Sequence, residues 1–222
     1  MNQSIEKLLQ GYLRFYHKNR GGQTGTLRKF KTVQSPKVMV IGCSDSRVDP
    51  AIITEALPGD LFMIRNVANL IPPYEEDREH YHGVSAALEY GVKGLEVENI
   101  IVWGHSNCGG IRALMGSDET VQKFEFVSKW LDLVRPVKQK INADMPDADF
   151  ECRCRCCEEA SIKQGLKNLE TFPWIRDRIA SGALVLHGWY FDIAEHKLLE
   201  YHPETDRFEI SSIHLQIHPD SA

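Results

Sequence analysis

No stretch of this 222-residue sequence is long and apolar enough to span a bilayer, which takes about 20 apolar residues in a row. The first thirteen residues include Glu6 and mix polar with apolar side chains, so the apolar core of a secretory signal is missing. Cysteine is too sparse for a disulfide scaffold. The six present are expected to be thiols or metal ligands in a reducing compartment, and a cytoplasmic protein is the expectation. An excess of positive charge is also absent: the formal net charge is -5, which argues against a nucleic-acid surface. The one basic stretch, Arg14 to Lys31, reads as a solvated face. There is no internal repeat and no low-complexity segment. What remains is an ordinary globular composition, 42% hydrophobic and 26% charged, with length enough for one sizeable core.

Ile5, Leu8, Leu9, Tyr12 and Leu13 recur at helical spacing and predict a helix over Ser4 to Lys18, followed by a connector at Gly21, Gly22 and Gly25. Such an arm must bury its apolar face on its own domain or on a partner subunit. Val38 to Cys43, Leu61 to Asn66, Ile100 to Gly104 and Ala183 to Asp192 are apolar runs that read as buried strands, with Lys197 to Tyr201 as an antiparallel edge. Between them lie a short helix at Pro50 to Ala56 and a longer one at His82 to Val92. Further helices are expected from Gly109, over Val121 to Ile141 with a bend at Pro136, over Cys156 to Leu169 and over Trp174 to Ile179. Strands alternating with helices imply right-handed crossovers. The expected fold is α/β: a mostly parallel sheet of four strands plus one antiparallel edge strand, flanked by helices, with an N-terminal helical arm. One domain is expected over 1–222, made of an arm (1–33), a core (34–209) and a tail (210–222).

Two of these strands end in chemistry. Val38 to Gly42 runs into Cys43, Ser44, Asp45, Ser46 and Arg47, and Ile100 to Gly104 runs into His105, Ser106, Asn107, Cys108, Gly109 and Gly110. In a parallel sheet, ligands bind at the carboxyl ends of the strands. Two thiolates and an imidazole supply three of the four tetrahedral positions that zinc prefers, leaving the fourth for water, as in catalytic sites. Cys43, His105 and Cys108 are therefore read as ligands of one zinc ion. Asp45 has three roles open to it: fourth ligand, acceptor for zinc-bound hydroxide, or a group that orients the others. Arg47 can hold a carboxylate in a two-point geometry. Zinc with two thiolates and a neutral imidazole has no net charge, so it should acidify water less than a three-imidazole site would. Asp45 and Arg47 are expected to compensate, with activity rising toward alkaline pH. The run Cys152-Arg153-Cys154-Arg155-Cys156-Cys157 matches no zinc module. It reads as ordinary thiols near a helix start, whose arginines would lower any exposed thiol below its usual value of about 8.5.

Cys-Ser-Asp-Ser-Arg at 43–47 with His-x-x-Cys-Gly-Gly at 105–110 resembles the β-class carbonic anhydrases. The resemblance runs from Gln34 to Asp192 and takes in Arg65-Asn66-Val67-Ala68-Asn69, Pro72-Pro73-Tyr74, Glu89-Tyr90 and Gly188 to Asp192. It implies a zinc lyase with one Zn2+ per chain, in which zinc-bound hydroxide attacks CO2 to give bicarbonate and a proton. It implies that Asp45 and Arg47 form a catalytic dyad, and that Gln34, Phe62, Val67, Tyr90 and the backbone of Gly109 line the CO2 pocket. It implies a homodimer or a higher even-numbered homo-oligomer, with part of that pocket coming from the neighbouring chain. Val40 stands where one branch has a Trp beside a noncatalytic bicarbonate pocket. Together with Gln34 this makes the chain resemble the plant-type branch, with Asp45 paired to Arg47, although Arg65 and Tyr190 would preserve part of that pocket. The rivals are a carbon disulfide or carbonyl sulfide hydrolase of the same family, and a noncatalytic zinc protein acting as a bicarbonate sensor or scaffold. Asp45 and Arg47 argue against the second, since a structural site would take a fourth Cys or His.

Overall fold

The computed structural model describes residues 2–20, 32–76 and 80–213. The connector expected at Gly21, Gly22 and Gly25, the basic residues Arg28, Lys29 and Lys31, and the tail from 214 onward lie outside the described residues. Among the described residues no helix is long and apolar enough to cross a membrane.

Six strands form one sheet in the order β2-β1-β3-β4-β5-β6. β1 (Val38–Cys43), β2 (Leu61–Asn66), β3 (Asn99–His105) and β4 (Val185–Asp192) are parallel, while β5 (Lys197–His202) and β6 (Arg207–Ile210) pair antiparallel. The expectation of a single antiparallel strand is corrected to two. In β6 the charged Arg207 and Glu209 alternate with Phe208 and Ile210 over four residues, too short a run to stand out by periodicity. The turn after β5 brings it back, and the Phe208 ring packs on Tyr201.

The helices follow in chain order. α1 (Gln3–Arg20) is the arm, and its Ile5, Leu8 and Tyr12 are 51%, 70% and 59% exposed, so its apolar stripe does not pack on its own domain. α2 (Pro50–Ile53) links β1 to β2, and α3 (Gly83–Glu89), widened into a π-type turn over Tyr90–Gly94, links β2 to β3. α4 (Gly109–Met115) leaves the end of β3. The long helix expected over Val121 to Ile141 is broken into α5 (Asp118–Gln122), α6 (Glu125–Leu131), a 3-10 turn at Asp132–Val134, and α7 (Arg135–Asp144). Phe124 is extended, and Pro136 sits in the first turn of α7, where a missing N–H loses no helical bond. Val121, Leu131, Val134 and Ile141 are nonetheless all buried, so the helical period runs through the breaks. α8 (Phe150–Leu169) starts earlier than Cys156 because Asp149 caps it, accepting the Cys152 N–H at 2.7 Å. α9 (Pro173–Ala180) precedes β4.

The strands bury side chains on both faces. Met39, Ile41, Ile100 and Val102 face one apolar cluster with Leu88, Ile162 and Phe172; Val40, Ile101 and Trp103 face the other, with Ile111, Leu131 and Cys157. Each such aliphatic side chain contributes about 1.5–3 kcal/mol on burial. From β1 the chain passes to β2 on one side and then back to β3 on the other. The gap between the carboxyl ends of β1 and β3 is therefore the topological switch point, where an open α/β sheet leaves a crevice.

Candidate metal centre

Three side chains converge at that crevice. Cys43 ends β1, His105 ends β3, and Cys108 caps the start of α4. The turn between His105 and Cys108 needs Asn107 in the left-handed region (φ 57), a conformation asparagine tolerates better than most residues. The potential ligand atoms lie within 4.8 Å of one another, and all three residues are buried. The Cys43 and Cys108 sulfurs are 3.9 Å apart. Two Zn–S bonds of about 2.3 Å at a tetrahedral angle would place them about 3.8 Å apart, so the spacing suits the ion. His105 Nδ1 lies 2.9 Å from the Ser106 carbonyl oxygen, which can only accept, so Nδ1 carries the proton and Nε2 the lone pair. Nε2 is buried without a hydrogen-bond partner, as a ligand atom should be. Two buried sulfurs this close cannot both ionise unaided. The hydrogen bond from Cys108 draws Cys43 down to about 4, and the same contact pushes Cys108 far up. A divalent cation removes that conflict, which is further reason that these donors fit one.

Asp45 lies beside the trio, with Oδ2 4.0 Å from His105 Nε2. Arg47 grips it at two points, Nη2 to Oδ2 at 2.7 Å and Nε to Oδ1 at 2.9 Å, and the Arg47 backbone N–H adds a third bond to Oδ1. These bonds hold the Asp45 carboxyl well below the usual carboxylate range. Arg47 Nη2 also donates to the Asn107 carbonyl at 3.0 Å, tying the β1 loop to the β3 loop. Beneath them Arg65 on β2 donates to the carbonyls of Cys43 (2.9 Å) and Asp45 (2.7 Å) and pairs with Asp49.

Over residues 38–198 the sequence matches the family model described as carbonic anhydrase. Among curated relatives, β carbonic anhydrase 3 of Arabidopsis thaliana is 36% identical over 194 residues, 86% of this chain and 74% of that protein. The mitochondrial β carbonic anhydrase 6 of the same plant is 42% identical over 185 residues, 82% of this chain. This chain belongs to the β-class carbonic anhydrases. It spans only 63% of the length of that mitochondrial relative. The solved β-carbonic anhydrase CcaA matches with a TM-score of 0.88 at 33% identity, covering 94% of this chain and 100% of that one. One of two tetrameric β-carbonic anhydrases from Sordaria macrospora matches at 0.73 and 29%, over 89% of this chain and 93% of that one.

The residues expected to line a β-carbonic anhydrase pocket do not all meet within one chain. Gly109 is the exposed first residue of α4, next to Cys108. Val67 follows β2 directly and lines an apolar groove of about 560 Å³ with Pro72, Phe126, Trp130 and Leu133. Gln34 is exposed just before β1. The Phe62 and Tyr90 rings pack on each other with centroids 5.8 Å apart. Phe62, however, pairs with Met39, four residues before Cys43 in β1, and at about 3.3 Å per residue that is about 13 Å from the metal trio. Arg65 and Tyr190 are occupied too: Arg65 fastens the β1 loop, and the fully buried Tyr190 donates to Glu158 at 2.9 Å.

Glu158 carries no sequence signature and was not anticipated. It lies in the middle of α8, 4% exposed, and burial pushes its carboxyl above the ordinary range. The cysteines occupy the two turns of α8 before it, with Cys157 directly adjacent. Cys154 and Cys157 are buried, so the lowering expected of exposed thiols does not reach them; burial pushes Cys154 up to about 11 and Cys157 up to about 12. Cys156 is raised by burial as well.

Proposed function

We propose that this β-class chain hydrates CO2 reversibly to bicarbonate and a proton, with one Zn2+ held by Cys43, His105 and Cys108. The observation that carries the reading is an ionised, doubly gripped Asp45 with Oδ2 4.0 Å from the ligand nitrogen of a Cys-His-Cys trio. A structural metal site has no use for such a group. Bound there, zinc would supply a Lewis acid that lets water become nucleophilic far below the pH at which free water ionises. The water gives one proton to solvent before attack; Asp45 Oδ2 accepts a hydrogen bond from the hydroxide that remains and aims its lone pair at the CO2 carbon. Arg47 keeps Asp45 ionised and fixes both carboxylate oxygens, so Asp45 orients the nucleophile without taking up the proton. As the C–O bond forms, charge moves to the CO2 oxygens, and the backbone at Gly109, opening α4, faces that charge with its positive end.

Gln34, Val67 and Gly109 complete the CO2 pocket in this proposal. Phe62 and Tyr90, at the far end of β2 from their own trio, line the site of a neighbouring copy in a homodimer or larger even-numbered assembly, and the exposed apolar face of α1 packs across the same contact. The mitochondrial name of one relative lends no support to the cytoplasmic expectation for this chain.

Stopped-flow acidification on mixing with dissolved CO2 tests the reading. The zinc-loaded parent should accelerate acidification, and Asp45→Ala should slow it by about 100-fold or more while keeping its metal. Equal rates would remove Asp45 from the mechanism, and no rate from either would favour a bicarbonate-binding scaffold.

A further inference from the structure

We infer that Glu158 is a positioning residue for the metal centre: its carboxylate holds the Cys108 backbone in the conformation that presents the Cys108 sulfur, and so governs how firmly the metal is retained. The inference rests on Cys43, His105 and Cys108 holding a metal; it does not depend on the reaction.

Cys108 is the cap residue of α4, with an extended backbone (φ -65, ψ 119) and no side-chain capping bond. Its side chain belongs to the metal trio, so it cannot also cap the helix. In many helices the cap residue's own N–H is taken by a carboxylate three positions on. In α4 that position is Ile111, preceded by Gly109 and Gly110, so the helix supplies no such group. Glu158 supplies it from α8, accepting the Cys108 N–H at Oε1 (2.9 Å). Its other oxygen, Oε2, accepts from Tyr190 Oη (2.9 Å), and Tyr190 sits on β4 opposite Gly104, the residue before His105. The carboxylate thus braces the Cys108 loop against both α8 and β4.

Nothing else about the site explains a carboxylate there. Arg112 pairs with Glu151, and Arg155 with Glu159 and Asp192, so the arginines lining the same small cavity are engaged elsewhere. A buried carboxylate is unfavourable unless its hydrogen bonds are made, and both of these go to the frame of the metal loop. Partners that orient ligands in this way commonly change metal affinity by about 10–100-fold when removed.

The test loads the protein with zinc and follows release to the chromogenic chelator 4-(2-pyridylazo)resorcinol, with thermal unfolding measured in parallel. Glu158→Met should release zinc about 10–100-fold faster than the parent, Tyr190→Phe several-fold faster, and Glu158→Gln within about threefold, because the amide oxygen can still accept the Cys108 N–H. Parent-like release from Glu158→Met, whatever happens to its melting temperature, would reduce Glu158 to an ordinary core residue. Release from Glu158→Gln as fast as from Glu158→Met would overturn the role of the hydrogen bond. If Glu158→Met does not fold, Tyr190→Phe decides, and a parent rate from it overturns the inference. A parent that holds one zinc yet fails to hydrate CO2 ends the functional proposal and leaves this one standing.

Discussion

The two groups of cysteines in this chain differ in almost everything except residue type. Cys43, at the end of β1, and Cys108, at the start of α4, are 65 residues apart in sequence and meet at 3.9 Å beside an imidazole. Cys154 and Cys157 lie three residues apart in α8, with Arg153 and Arg155 beside Cys154, and read from sequence as ordinary thiols that those arginines would lower if exposed. Yet the contact with Cys108 draws Cys43 down to about 4 and pushes Cys108 far up in return, while burial pushes Cys154 and Cys157 up to about 11 and 12. A thiol's chemistry follows from what faces it across space. Arg112 is the first favourable charge acting on Cys154, and desolvation outweighs it.

Several experiments would break or sharpen that contrast. The largest effect is expected from His105→Ala or Cys43→Ser, which should abolish stoichiometric metal binding and lower CO2 hydration by about 1000-fold or more, whereas Cys157→Ala should keep both. Metal analysis by mass spectrometry with stopped-flow assay checks this, and loss of metal from Cys157→Ala would erase the distinction. Next is pH. Asp45, held below the ordinary carboxylate range first by the hydrogen bond from Arg47, remains ionised through neutral pH and into acid. The stability that this lowering contributes is present above the unfolded carboxylate value of about 3.9 and is lost only as pH falls through the lowered one. Activity should therefore rise from neutral toward alkaline pH by about tenfold through titration of the nucleophilic water, whose pKa two thiolates leave above about 7. A flat rate over that range would contradict the charge argument. Smaller still is labelling: after chelation, iodoacetamide at neutral pH should modify Cys43 well before Cys154 or Cys157, read by peptide mass spectrometry. The smallest effect is on stability, where Cys157→Ala should destabilise the fold by about 1 kcal/mol in urea with activity within twofold.

The sequence makes the candidate metal trio visible because Cys43 and His105 each end an apolar run, marking where a buried strand surfaces, and Cys108 follows His105 by three residues, just before Gly109-Gly110. Asp45 and Arg47 were legible for the same reason, being a few residues from Cys43. Glu158 was not: it arrives from the middle of a helix, and nothing local distinguishes a carboxylate that turns inward from one that faces water. The breaks at Phe124 and before Arg135 were hidden because burial keeps the same period on both sides of them. β6 was hidden because pairing with β5, rather than its own four residues, makes it a strand. Phe62 and Tyr90 show a different limit. The resemblance names both as pocket residues, but pairing with Met39 puts Phe62 about 13 Å along β1 from Cys43 of the same chain, a separation no local pattern reveals.

Gly104 has a consequence for how this protein tolerates change. A β-carbon there would come within 2.7 Å of the Ile162 side chain, which is fully buried and has nowhere to turn. Ile162 lies one helical turn beyond Glu158, so a single added methyl group would lift the span of α8 that reaches the cysteine loop. Alanine at 104 is thus the gentlest available wedge between that helix and the sheet, and a protein carrying it should fold yet grip its ion less firmly.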